Sequence, residues 1–226
     1  MSLSDLQIEA NFPLLASATV LLDRKLRQGK YDRILLSARD CYMQAHLWRQ
    51  MFPSTPYQVI YWLTSRWARI KGLNGYLDYC APLFRGKPLI FDLVGTGESI
   101  RTLFKRMGVD CDYLLLQSDP RKQAPRLLDA EGDLEGLNTA PHPMVIDVTA
   151  HAWPVYDPSG NDGADYFAAI GGRVFMENSK RPHYSDFIDA SEAELLARMR
   201  QAQKLIAEND CLFHPFHAQR RAEDWQ

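Results

Sequence analysis

The chain has 226 residues, 46% of them hydrophobic, which is enough to bury a full core and excludes a disordered protein. Its 26 basic and 28 acidic residues give a net charge of -2, so no broad positive field favours nucleic acid. No apolar run approaches the roughly 20 residues that span a bilayer. The chain begins without signal-peptide features, and its four cysteines lack CxxC spacing. We therefore expect a soluble, cytoplasmic protein with reduced thiols and no membrane partner, and a nucleic-acid partner is disfavoured.

Apolar residues recur along the chain with two spacings, one typical of helices and one of buried strands. In chain order the predicted elements are helix 4–29, strand 33–38, helix 41–51, strand 57–64, helix 73–84, strand 88–92, helix 100–107, strand 111–117 and strand 144–148. The strands are nearly continuous apolar runs that alternate with helices or loops, which predicts a mostly parallel sheet covered by helices on both faces. We therefore predict an α/β fold with a helical N-terminal segment.

The C-terminal part of the chain is less regular. Residues 153–172 are dense in turn-forming residues, and Ser191 begins a predicted amphipathic helix. No sharp composition change separates these segments from the predicted sheet. We predict a single domain over residues 1–226, with a core at about 30–150 and a C-terminal α+β extension or flap at about 151–226.

Polar residues follow the predicted strands at their carboxyl ends, where parallel sheets bind ligands. Arg39 and Asp40 follow the first strand, and Ser65 and Arg66 follow the second, with Arg69 nearby. A guanidinium offers a planar fork of donors to phosphate oxygens. We therefore predict that Arg39, Asp40, Ser65 and Arg66 contact substrate or pyrophosphate. Two other interpretations stay open, a local ion pair between Arg39 and Asp40 and a solvated helix start at Ser65 and Arg66.

The segment Asp92–Ser99 has the clearest chemistry, because it joins a predicted strand to a predicted helix through a glycine-rich turn. Glycines permit close approach of a ligand, and backbone amides and hydroxyl groups at a helix start converge on an anion. The residues predicted to bind phosphate are Gly95, Thr96, Gly97, Glu98 and Ser99. A glycine-rich turn without a ligand is the alternative.

The run Leu89–Ile100 resembles the phosphoribosyl-pyrophosphate loop of type I phosphoribosyltransferases. That loop reads apolar strand, two acidic residues, two apolar residues, one variable residue, Thr-Gly, any residue and Ser or Thr. Asp92 occupies the second acidic position, whereas Phe91 stands at the first. The resemblance spans about residues 30–120, with only the loop specific.

This resemblance implies a phosphoribosyltransferase-like fold and a phosphorylated sugar or nucleotide as the small-molecule partner. It implies a catalytic role for Asp92, which would contact a ribose hydroxyl or Mg²⁺, and phosphate binding by the loop. Pyrophosphate would be held by Arg39 and Arg66. The chain would transfer phosphoribosyl from phosphoribosyl pyrophosphate to an acceptor that the sequence does not identify. The resemblance is also compatible with a homo-oligomer.

The run Ile90–Thr96 also resembles the first motif of haloacid-dehalogenase-type phosphatases, Phe-Asp-x-Asp-Gly-Thr. In that interpretation Asp92 is the nucleophile and a magnesium ligand. Val94 stands where that family has its second aspartate, the general acid and base. A third interpretation is a catalytically silent nucleotide-binding or accessory protein.

Overall fold

The computed structural model describes residues 11–118, 138, 144–149 and 151–158. Its elements in chain order are α1 (Phe12–Gly29), β1 (Arg33–Ser37), α2 (Tyr42–Met51), β2 (Gln58–Trp62), α3 (Arg66–Lys71), α4 (Asn74–Leu83), β3 (Pro88–Gly95), α5 (Glu98–Met107), β4 (Asp112–Ser118), β5 (Val145–Val148) and β6 (Pro154–Tyr156). The helix predicted from Ser191 lies outside the described residues. Over the described ranges, no helix has the length and apolar character to cross a membrane.

Strands β1 to β4 form one parallel sheet in the order β2-β1-β3-β4. The prediction of an α/β fold with a parallel sheet is therefore confirmed for these four strands. The strand order reverses between β1 and β3. In open parallel sheets the crevice beyond the carboxyl ends at such a reversal is the usual ligand site.

Side chains of the central strands alternate between two buried layers, as the period of two in a strand requires. Leu36 and Phe91 pack in the layer that contains α1 and α2, whereas Leu35 and Ile90 pack in the layer that contains α3, α4 and α5. Helices therefore cover both faces of the sheet, as predicted. Phe91 is fully buried, so a carboxylate at this position would lie in the apolar layer and be costly.

The local sequence explains the bounds of α5, the helix that follows β3. Its buried residues are Ile100, Leu103 and Phe104, at the spacing of one helix face. Lys105 and Arg106 occupy its last turn, where positive charge suits the helix dipole. Because this signal is local, the predicted and observed helices agree closely.

Strands β5 and β6 form a separate antiparallel pair outside the parallel sheet. The predicted strand at 144–148 exists, but the prediction of turns at 153–172 is wrong for Pro154–Tyr156, which pair with β5. Val145 and Val148 pack in the layer of α3, α4 and α5. We predicted that a C-terminal extension begins at about residue 151. The pair of β5 and β6 has one strand before that position and one after it.

Candidate functional site

A cavity of about 530 Å³ lies at the carboxyl edge of the parallel sheet, at the reversal between β1 and β3. All ten residues that we predicted for the site line it: Arg39, Asp40, Ser65, Arg66, Asp92, Gly95, Thr96, Gly97, Glu98 and Ser99. They come from the loop after β1, the start of α3, and the segment from β3 into α5. The structure thus brings these residues together, while the chemical role of each stays a prediction.

The connection from β3 to α5 combines a glycine turn with a helix start. Gly97 is the N-cap residue of α5 and has φ +71°. A Cβ at this position would lie 2.6 Å from Cε2 of Tyr113, so glycine suits both the backbone and the available space. The amide of Glu98 donates to Oγ1 of Thr96 at 3.4 Å. Because the first amides of a helix have no partner within it, this turn offers donors at the cavity.

A buried ion pair connects α3 to β3 beside that turn. Arg69 Nη1 donates to Asp92 Oδ2 at 2.9 Å and to Ser99 Oγ at 3.3 Å. The side chains of Arg69 and Asp92 are only 6% and 10% exposed. One guanidinium nitrogen therefore contacts both the predicted catalytic residue and a predicted phosphate-binding residue.

Three further side chains fix the orientation of Arg69. Its Nε donates to Oγ1 of Thr64 at 3.1 Å, and that oxygen is also hydrogen-bonded to the hydroxyl of Tyr76. Burial raises the pKa of Tyr76 well above its usual value, so this hydroxyl keeps its proton. The guanidinium carbon lies 5.0 Å from the ring centroid of Trp62, a cation–π distance. Arg69 is thus held in one orientation from several elements.

Helix α3 is itself anchored at both ends. Ser65 Oγ accepts a hydrogen bond from the amide of Ala68 and donates to the carbonyl of Val145. Arg106 of α5 donates to carbonyl groups at the other end of α3, including that of Arg69. The hydroxyl of Ser65 therefore caps the helix and holds β5, while its predicted contact with substrate stays a prediction.

Cys41 follows Asp40, a residue of the cavity lining, and its thiol is buried. Its Sγ donates to the carbonyl of Phe91 at 3.7 Å, and the residue is fully buried. Burial raises the pKa of the Cys41 thiol well above its usual value, and the charges of Asp92 and Asp40 raise it further. The thiol therefore stays protonated at neutral pH, and the reactive form is the thiolate.

The geometry does not fit Asp92 as a direct magnesium ligand. Its Oδ2 is paired with Arg69, and its Oδ1 accepts the amide of Leu93 at 3.1 Å. A cation on this carboxylate would lie beside a guanidinium. Within the part of the chain that the structure describes, no three His, Cys, Asp or Glu residues gather as metal ligands. The same pairing disfavours Asp92 as a free nucleophile, and both roles stay predictions.

The hydrogen bonds of Arg69 to Asp92 and Ser99 were not predicted from the sequence. Sequence analysis noted Arg69 only as a basic residue near Ser65 and Arg66. The sequence carried only a weak signal for this contact. In a helix that starts at Arg66, position 69 lies one turn later and on the same face as Arg66. Its contact with Asp92 joins residues 23 positions apart, which no local pattern indicates.

The fold and the cavity define an α/β protein with an open parallel sheet and a ligand-sized cavity at its strand-order reversal. No family model and no curated protein matches the chain. Among solved structures, a purine phosphoribosyltransferase from Pyrococcus horikoshii matches with 22% identity and a TM-score of 0.31, over 47% of this chain and 74% of that chain. At that TM-score the likeness is too weak to assign a function.

Proposed function

We propose that the cavity binds a phosphorylated ribose and that the chain is a transferase of the phosphoribosyltransferase type. One observation carries this proposal: the glycine turn that begins α5 meets Arg39, from the loop after β1, and Arg66, from the start of α3, at one cavity. A phosphate and a pyrophosphate are the groups that these two kinds of donor suit best.

The 5′-phosphate of the ligand would lie against the turn from Gly95 to Ser99. Amides at the start of α5 and the hydroxyls of Thr96 and Ser99 would donate to its oxygens. Ser99 Oγ accepts from Arg69, so its own proton stays available for the ligand. A hydroxyl arranged in this way acts as a donor, which selects for an anion.

The pyrophosphate of phosphoribosyl pyrophosphate would lie between Arg39 and Arg66. In the reaction, the bond from the ribose C1 to a pyrophosphate oxygen breaks while a bond to the acceptor forms. The departing pyrophosphate takes the electron pair, and guanidinium groups placed in advance stabilise its charge. Asp92 would accept a hydrogen bond from a ribose hydroxyl.

The test is a calorimetric titration with ribose 5-phosphate and with phosphoribosyl pyrophosphate, each with and without magnesium. We expect Thr96→Ala to weaken both ligands by roughly tenfold, the loss of one hydrogen bond to a charged group. We expect Arg39→Gln combined with Arg66→Gln to weaken only phosphoribosyl pyrophosphate. Lys105→Gln removes an exposed charge outside the cavity and is the matched control.

Absence of binding of either ribose phosphate at millimolar concentration would refute the proposal. Release of phosphate from a generic ester, lost in Asp92→Asn, would instead support the phosphatase interpretation. Binding without pyrophosphate release in the presence of any purine or pyrimidine base would support the catalytically silent interpretation.

A further inference from the structure

We propose that Arg69 is itself an anion-binding residue of the cavity, positioned by Asp92, and that its Nη2 contacts the phosphate of the ligand. This inference rests on the proposed phosphate site and assigns it a residue that neither the sequence resemblance nor the comparisons supply. It also gives Asp92 a role other than nucleophile or metal ligand.

The hydrogen bonds of Arg69 leave part of its guanidinium unused. A guanidinium has five N–H donors. Nε donates to Thr64, and Nη1 donates to Asp92 and Ser99, which uses three of them. Among the described residues, Nη2 has no hydrogen-bond partner. Two donors on a charged group therefore remain for another molecule.

Arg69 also lines the cavity. It does so together with Asp92 and Ser99, the two residues to which its Nη1 donates. The guanidinium therefore lies at the wall of the cavity, next to the turn that begins α5.

Fold stability alone does not account for this arrangement. Replacing a buried ion pair with well-packed apolar residues is often neutral or stabilising, so joining α3 to β3 does not require charges. In contrast, anion binding benefits from a guanidinium whose plane is already fixed, because little side-chain freedom is then lost. Thr64, Trp62 and Asp92 provide that fixation.

Arg69 and Ser99 would act on the same phosphate. Because Ser99 Oγ accepts from Nη1, the serine proton is left to donate to the ligand, as are the two donors of Nη2. Together with the amides at the start of α5, they form a set of donors for one phosphate group. Asp92 holds the guanidinium and balances its charge when the ligand is absent.

The test is a calorimetric titration with inorganic phosphate and with ribose 5-phosphate. Arg69→Lys keeps the positive charge next to Asp92 but removes the planar fork, and we expect phosphate affinity to fall roughly 10- to 100-fold. Asp92→Asn keeps the guanidinium and removes a negative charge from its side, so we expect the affinity for inorganic phosphate to rise roughly 3- to 10-fold. Lys105→Gln again controls for overall charge.

Folding is checked by thermal unfolding of each variant, and the double variant Arg69→Gln with Asp92→Asn removes both charges together. We expect this double variant to fold and to bind phosphate as weakly as Arg69→Lys does. Equal affinity in Arg69→Lys and Lys105→Gln would overturn the inference, as would a loss of phosphate affinity in Asp92→Asn. If the unmodified protein binds neither phosphate ligand, the proposed function fails as well; if it binds both, and Thr96→Ala loses affinity while Arg69→Lys does not, this inference alone fails.

Discussion

Gly97 and Gly108 lie at the two ends of α5 and allow the glycine turn of the candidate site to be tested against a matched control. Both have positive φ, +71° and +65°. A Cβ at Gly97 would lie 2.6 Å from Cε2, 2.7 Å from Oη and 2.9 Å from Cζ of Tyr113. A Cβ at Gly108 would meet nothing within 4 Å. Alanine therefore carries the backbone cost at both positions and the steric cost only at Gly97.

The expected magnitudes follow from these two costs. A residue with a Cβ in the left-handed region costs about 1–2 kcal/mol. Tyr113 cannot move freely, because its hydroxyl accepts from Arg101 and its ring packs edge-on against Phe104 with centroids 6.3 Å apart. Overpacking at such a contact adds about 1–3 kcal/mol. We expect Gly108→Ala to lower the free energy of unfolding by about 1–2 kcal/mol and Gly97→Ala by about 2–5 kcal/mol.

The assay is urea unfolding followed by tryptophan fluorescence, with ribose 5-phosphate titrated into both variants. Tyr113→Ala combined with Gly97→Ala removes the clash, and we expect a favourable coupling of about 1–3 kcal/mol in the double-mutant cycle. Ribose 5-phosphate affinity should fall in Gly97→Ala and stay unchanged in Gly108→Ala. Equal destabilisation by the two alanines, or a coupling near zero, would refute the described contact between Gly97 and Tyr113.

Two further predictions concern α4 and its surroundings. A Cβ at Gly75 would lie 2.8 Å from the carbonyl oxygen of Val148, a backbone atom of β5, so Gly75→Ala should destabilise the protein. We expect about 1–3 kcal/mol in urea unfolding, and a change below about 0.5 kcal/mol would contradict the packing of β5 on α4. Burial raises the pKa of Cys80 from 9.0 to about 11. The unfolded chain therefore releases this proton first, and stability should fall as pH rises from about 9 to 11, by about 2 kcal/mol. Cys80→Ala should remove that part of the slope, and an unchanged slope would contradict the burial of this thiol.

The sequence predicted the sheet well because its signals are local. Apolar runs mark β1 to β4, and helical spacing marks α2, α4 and α5, all within a few positions of the observed bounds. The rule that ligands bind at the carboxyl ends of parallel strands then predicts that Arg39, Arg66 and the turn after β3 lie near one another. Local periodicity and one rule of topology were sufficient for this much of the candidate site.

The remaining features depend on contacts between segments that are distant in sequence. Helix α3 has only six residues, too few for a clear period, and the hydrogen bond from Arg69 to Asp92 joins it to a strand that lies 23 positions away in sequence. Strand β6 has three residues and is stabilised by its pairing with β5. Its own sequence is typical of turns, so the sequence alone predicted no strand there. Tertiary packing overrides local preference in both cases.

The two acidic residues missing from the family patterns have different structural meanings. Position 91 faces the layer of α1 and α2 and lies outside the cavity lining, so Phe91 belongs to the core. Position 94 does line the cavity, where Val94 adds no charge. The cavity segment of β3 therefore carries Asp92 as its single carboxylate, and Arg69 balances it at 2.9 Å. An incoming phosphate meets less repulsion from one neutralised carboxylate than from a pair of acids. Val94, the departure from the phosphatase pattern, therefore removes negative charge from the cavity, which favours the proposed anion and disfavours chemistry that needs a second carboxylate on β3.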